Sequence, residues 1–151
     1  MENRRDQMAR ELRRYYTLWR ESNTMYEEWA KEQGLSLSTL LIVYALWEEE
    51  GCTQKQISRN WLIPKQTVSA ALKEFEEKGY LELTPAASDK RNKQILLTDS
   101  GREFAGRIMT KLHARELYVM EQMGLDKMTE MNDALARFRD LFREGGAGGN
   151  E

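Results

Sequence analysis

The segment that most constrains this chain is Thr53 to Thr98, TQKQISRNWLIPKQTVSAALKEFEEKGYLELTPAASDKRNKQILLT. Thr53 and Gln56 have capping-box spacing, in which hydroxyl and amide each satisfy a free backbone amide at a helix start. That short helix stops around Trp61. Proline is tolerated at a first helical position, so Pro64 sets the start of the next helix at Pro64 or Lys65, and Gly79 ends it. Val68, Leu72 and Phe75 are spaced 4 and 3 apart and face inward, which leaves Lys65, Gln66, Thr67, Ser69, Ala70 and Lys73 outside. Tyr80 to Thr84 and Gln94 to Leu97 are apolar β-type runs, and Pro85, Ala86, Ala87, Ser88 and Asn92 between them are loop residues. Two short helices followed by a hairpin with a charged tip outline a winged helix-turn-helix.

Duplex DNA offers surfaces that such a unit fits: a helix enters the major groove, and a hairpin reaches backbone or minor groove. The formal charge of -2 counts against this as an average, so its distribution decides. Residues 53 to 73 hold Lys55, Arg59, Lys65 and Lys73 without an acid, giving +4, and Asp89, Lys90, Arg91 and Lys93 give the hairpin tip +2. The acids lie elsewhere, at Glu27, Glu28, Glu48, Glu49, Glu50 and in the C-terminal helices.

At 151 residues and 40% hydrophobic content the chain is long enough for one domain with a real core. No stretch approaches a membrane span of roughly 18 apolar residues, and the charged start MENRRDQMARELRR has no leader character, so a cytoplasmic location without membrane contact is expected. One cysteine, Cys52, and one histidine, His113, give neither a disulfide framework nor a zinc cluster; no metal and no cofactor are expected. Cys52 as a peroxide sensor would need a stabilised thiolate and has no resolving cysteine in the chain.

Before the reader unit, Met8, Leu12, Tyr15, Trp19, Ser22, Tyr26 and Trp29 recur in steps of 4 and 3, predicting one long helix that ends near Gly34 and needs a partner surface. Ser38 is the expected cap of a second helix, TLLIVYALW, apolar on most sides and so core. After it, Thr98 caps a helix with Phe104, Ile108, Leu112, Val119 and Met123, and a last helix beyond Gly124 carries Met131, Leu135, Phe138 and Phe142. The expected organisation is a dimerisation helix over 1–35, a winged helix-turn-helix over 36–98, dimerisation helices over 99–144, and a flexible tail over 145–151. The fold class is mainly α with a small β-hairpin wing.

The chain resembles a MarR-type transcriptional regulator over nearly its whole length, most specifically in DKRNKQILLTDSG, residues 89 to 101. Asp89, Arg91, Leu97, Thr98 and Gly101 occupy that family's wing pattern, and LSLSTLLIVYAL resembles the helix before the reader. The resemblance implies a homodimer with interlocking terminal helices, the fourth helix in the major groove and Arg91 at the minor groove. It also implies response to a small aromatic or phenolic ligand.

A guanidinium suits the narrow, electronegative minor groove, and Asp89 beside Arg91 can hold it extended. The DNA-contact candidates are therefore Arg91, Lys90, Lys93 and Asp89 on the wing, Lys65, Gln66, Thr67, Ser69 and Lys73 on the fourth helix, and Thr53, Gln54 and Lys55 near phosphate. Tyr15, Trp19, Tyr44 and Trp47 are the ligand-pocket candidates, although aromatic residues at helical spacing are more often interface core. Ser69 and Lys73, four apart on one face, lack an orienting third group and an oxyanion site, so no enzyme is expected. The functional expectation is a homodimeric repressor released from a palindromic operator by a small molecule. The rival is a winged-helix adaptor that uses the same surface to hold a protein.

Overall fold

A computed structural model of the chain describes residues 3–84 and 93–147. In order, its elements are α1 (Arg4–Glu32), α2 (Leu37–Glu48), α3 (Gln54–Trp61), α4 (Lys65–Glu77), β1 (Leu81–Leu83), β2 (Ile95–Leu97), α5 (Asp99–Met123) and α6 (Leu125–Ala147). This is the expected winged helix-turn-helix between helical extensions. The chain divides into two compact units, Met1–Met109 and Thr110–Glu151, so the boundary falls inside α5.

In the first unit, α1 starts at Asn3, whose Oδ1 accepts the amides of Arg5 and Asp6 at 2.7 and 3.1 Å. Ala30 is the only fully buried residue in α1; of the expected stripe Tyr15, Tyr26 and Trp29 are half-buried, and Met8, Leu12 and Trp19 stand exposed. The cap of α2 is Ser36, not Ser38: Ser36 Oγ accepts the Thr39 amide at 3.1 Å. Both serines have the chemistry, but α1 ends at Gly34 with φ +79°, and the chain then enters α2 early, leaving Ser38 inside its first turn. Leu40, Ile42, Val43, Ala45 and Leu46 of α2 are buried, as its lack of a polar face predicts. They share the core with Ile57, Val68, Leu72, Phe75, Leu81, Ile95 and Met109, each large side chain stabilising the fold by about 1.5–3 kcal/mol.

Thr53 and Gln56 form the expected reciprocal box, Gln56 N to Thr53 Oγ1 at 3.2 Å and Thr53 N to Gln56 Oε1 at 2.8 Å. The hairpin is antiparallel, pairing Leu81 with Leu97, Glu82 with Leu96 and Leu83 with Ile95. A third, unanticipated segment joins it. Gly51 N donates to Ile95 O at 3.2 Å, Ile95 N to Cys52 O at 2.9 Å, and Thr53 bridges Gln94, which moors the hairpin base to the start of α3. Cys52 is therefore buried, and burial, reinforced by the Glu49 carboxylate, pushes its thiol up to about 11. A thiol so placed stays protonated at neutral pH, the reverse of what a peroxide sensor needs.

In the second unit, Gly124, with φ +84°, closes α5 and opens α6. Leu117 and Tyr118 on α5, and Met131, Leu135, Phe138 and Phe142 on α6, are exposed apolar side chains, Phe142 at 76%. Helix α6 runs through Gly145 to Ala147, past the point where a tail was expected to begin; helix ends are weakly specified locally, and glycines merely lower propensity. Among the described residues no helix is long and apolar enough to cross a membrane, and no group of three His, Cys, Asp or Glu could hold a metal ion.

Candidate nucleic-acid interface

Three helix-start residues and one exposed helix face build the candidate surface. Val68, Leu72 and Phe75 bury one side of α4, and Lys65, Gln66, Thr67, Ser69 and Lys73 stand exposed on the other. Pro64 occupies the N-cap and offers no side-chain acceptor, so the first amides of α4 remain available to an external anion. Gln54 Nε2 donates to Lys65 O at 3.3 Å, tying the start of α3 to the start of α4 and holding Thr53, Gln54 and Lys55 near that exposed face.

Gln54, Ser69, Lys73 and Lys93 meet around one cleft of about 170 Å³ between α4 and the hairpin, with Leu72, Leu81, Leu83 and Ile95 as its floor. Glu76 also lines it, an acid not anticipated there. Lys55, Arg59, Lys65 and Lys73 form no ion pair among the described residues, whereas Glu74–Lys78, Glu50–Arg102 and Glu103–Arg107 do. Unpaired ammonium and guanidinium groups, hydroxyls, an amide and free helix amides make a surface suited to an extended polyanion with hydrogen-bonding edges. Asp89, Lys90 and Arg91 lie outside the described residues.

The ligand-pocket candidates fall in separate settings. Tyr15 packs on Tyr16 with ring centroids 5.5 Å apart, and Tyr44 lies edge-on to Trp61 at 5.2 Å and 72°. Trp19 borders an open groove along α1 with Arg13, Tyr16, Thr17 and Arg20. Trp47 borders a cleft of about 330 Å³ with Leu46, Glu48, Glu50, Leu97 and Arg102. Trp47 thus stands in a cleft of ligand size formed by more than one element.

Sequence reading overlooked Leu62. It ends α3 in the left-handed region, φ 52° and ψ 38°, and is 89% exposed. A branched side chain there costs roughly 1–2 kcal/mol in backbone strain and gains almost no burial in return. Leu62→Gly is expected to raise stability by up to about 1 kcal/mol once the greater freedom of glycine in the unfolded chain is counted. Urea denaturation of the two proteins measures it, and a lowered midpoint would refute the strain.

Residues 33–92 match the model of the MarR family. The transcriptional regulator TtmR of Methylorubrum extorquens is 32% identical over 106 residues, 70% of this chain and 53% of that protein, so the chain spans about half the length of that curated relative. The MarR family regulator NMB1585 of Neisseria meningitidis superposes with a TM-score of 0.73 at 22% identity over 99% of this chain and 100% of that one. A MarR family regulator of Listeria monocytogenes, solved with a 26mer DNA, superposes with a TM-score of 0.66 at 19% identity over 93% and 95% of the two chains. At these identities the two structures establish the winged-helix fold.

Proposed function

We propose that this chain, which belongs to the MarR family, binds duplex DNA sequence-specifically as a homodimer and regulates transcription, acting as a repressor released by a small-molecule ligand. The observation that carries the reading is the acid-free stretch of residues 53–73, whose four cations are exposed and form no ion pair among the described residues. The name of the TtmR relative and the DNA held by the Listeria protein support it. Lys65, Gln66, Thr67, Ser69 and Lys73 read base edges and phosphates in the major groove, Thr53, Gln54 and Lys55 hold backbone, and Arg91 with Asp89, Lys90 and Lys93 serves the wing.

The exposed apolar faces of α1, α5 and α6 supply the dimer contacts, and a two-fold dimer reads half-sites about one helical turn, ~34–36 Å, apart. The cleft at Trp47 supports a site for a small aromatic ligand next to the start of α5. Such a ligand acts only by binding the free and the DNA-bound arrangements with different affinity.

Selection from a random duplex library at physiological salt tests this reading, with Arg91→Ala in parallel. A palindromic motif, weakened in the variant, is the expected result. No enrichment with the wild-type chain would remove it in favour of the protein-holding adaptor.

A further inference from the structure

Two hydroxyls from the start of α5 converge on one carbonyl beyond the end of α4. Thr98 Oγ1 donates to Gly79 O at 2.6 Å, and Ser100 Oγ donates to the same oxygen at 2.9 Å. Thr98 Oγ1 meanwhile accepts the Gly101 amide at 3.1 Å, so the hydroxyl caps α5 and grips the neighbouring chain at once. One residue on, Thr98 N donates to Tyr80 O at 3.0 Å, and a Cβ on Gly101 would lie 1.8 Å from that oxygen. Only a residue without Cβ permits this approach. Gly79 and Tyr80 are themselves continuous with α4, through Gly79 N to Glu76 O and Tyr80 N to Phe75 O, both at 2.9 Å.

Side chains extend the joint. Tyr80 stacks on Phe104 at 4.5 Å with planes 10° apart, and Phe75 of α4 lies edge-on to Phe104 at 5.7 Å. The opposite end of α4 is held differently: it has no side-chain cap, Gln54 Nε2 reaches Lys65 O at 3.3 Å, and the Leu62 turn before it is fixed by Ser58 Oγ donating to Ile63 O at 2.7 Å.

We infer that Thr98 and Ser100 are positioning residues for α4: by gripping Gly79 O they fix the angle between α4 and α5, so that α4 and the first turn of α5 turn as one body. The inference rests on the proposed function for the meaning of α4 as the reading helix. A shift of α5 then re-aims the reading helix without a hinge between them, and the grip sets how sharply a dimer discriminates half-site spacing.

The test uses full-length Thr98→Val, which keeps shape and removes the hydroxyl, with Thr98→Ser as the conservative rescue and Ser100→Ala as a milder variant. Dissociation constants are measured on the duplex selected by the wild type and on the same half-sites moved 1 or 2 base pairs closer or apart. Wild type is expected to fall steeply away from its optimum, and Thr98→Val to lose about fivefold to tenfold at the optimum while its spacing profile flattens. Thr98→Ser restores both. A wild-type spacing profile in Thr98→Val, whatever its stability, or failure of Thr98→Ser to rescue, overturns the inference. If Thr98→Val does not fold, Ser100→Ala, which leaves the cap intact, carries the same prediction at smaller amplitude and is decided by the same profile.

Should the wild type select no duplex, the proposed function fails and hydrogen exchange decides the joint. The Tyr80, Thr98 and Gly101 amides are expected to open together in the wild type and separately in Thr98→Val. Separate opening in the wild type overturns the inference.

Discussion

Replacing Gly101 with alanine is expected to destabilise the fold by about 3 kcal/mol or more and to lower its thermal midpoint by roughly 6–12 °C. The added Cβ would meet the Tyr80 carbonyl oxygen at 1.8 Å, and that atom cannot rotate aside as a side chain does. It is backbone, already accepting the Thr98 amide, and lies between the end of α4 and the first residue of β1. Gly106→Ala is the internal control: its Cβ would meet the Trp47 ring at 3.3 Å, a flexible contact that gives way at a cost of about 1 kcal/mol. Thermal unfolding followed by circular dichroism measures both. Equal midpoints for the two variants would contradict the close approach of α5 to the hairpin.

The second large effect is expected on α6. Met131, Leu135, Phe138 and Phe142 form an exposed apolar seam with spacing 4, 3 and 4, and Leu135 is 47% exposed. If a second copy covers this seam, Leu135→Glu buries a charge twice per dimer, once from each chain. At about 1.5–3 kcal/mol per large side chain, dimer association should weaken by roughly a hundredfold to ten-thousandfold. Sedimentation at micromolar concentration is expected to give a dimer for the wild type and a monomer for the variant. An unchanged mass in Leu135→Glu would place the dimer contacts elsewhere.

Where neighbours in sequence are neighbours in space, the sequence was readable. The Thr53–Gln56 box, the Pro64 start, and the inward Val68, Leu72 and Phe75 all depend on residues a few positions apart. What escaped is non-local or competitive. Gly51–Thr53 joins β2 from more than forty residues away, and no local pattern signals that pairing. Ser36 and Ser38 compete for one cap, and the exit of α1 at Gly34 decides between them. Gly101 was legible only as part of a motif; its reason, the Tyr80 backbone, appears once the fold brings them together.

The fold gathers part of the candidate interface but not the candidate pocket. Charge and periodicity identify the outer face of α4, and the fold then gathers Gln54, Ser69, Lys73 and Lys93 around one cleft. Tyr15, Trp19, Tyr44 and Trp47 share a residue type, but periodicity on separate helices does not say which rings face one space. Leu62 carried no signal because a left-handed leucine is a property of the turn's geometry, invisible in residue type.

The central claim is that the acid-free stretch of residues 53–73, in α3 and the first part of α4, holds duplex DNA through its phosphates. The most direct measurement is the affinity of the full chain for its selected duplex across ionic strength, for wild type, Lys65→Ala and Lys73→Ala. The account predicts a steep linear fall of log affinity with log salt concentration, and a slope shallower by about one for each lysine removed. An affinity indifferent to salt, or variants with the wild-type slope, would contradict it.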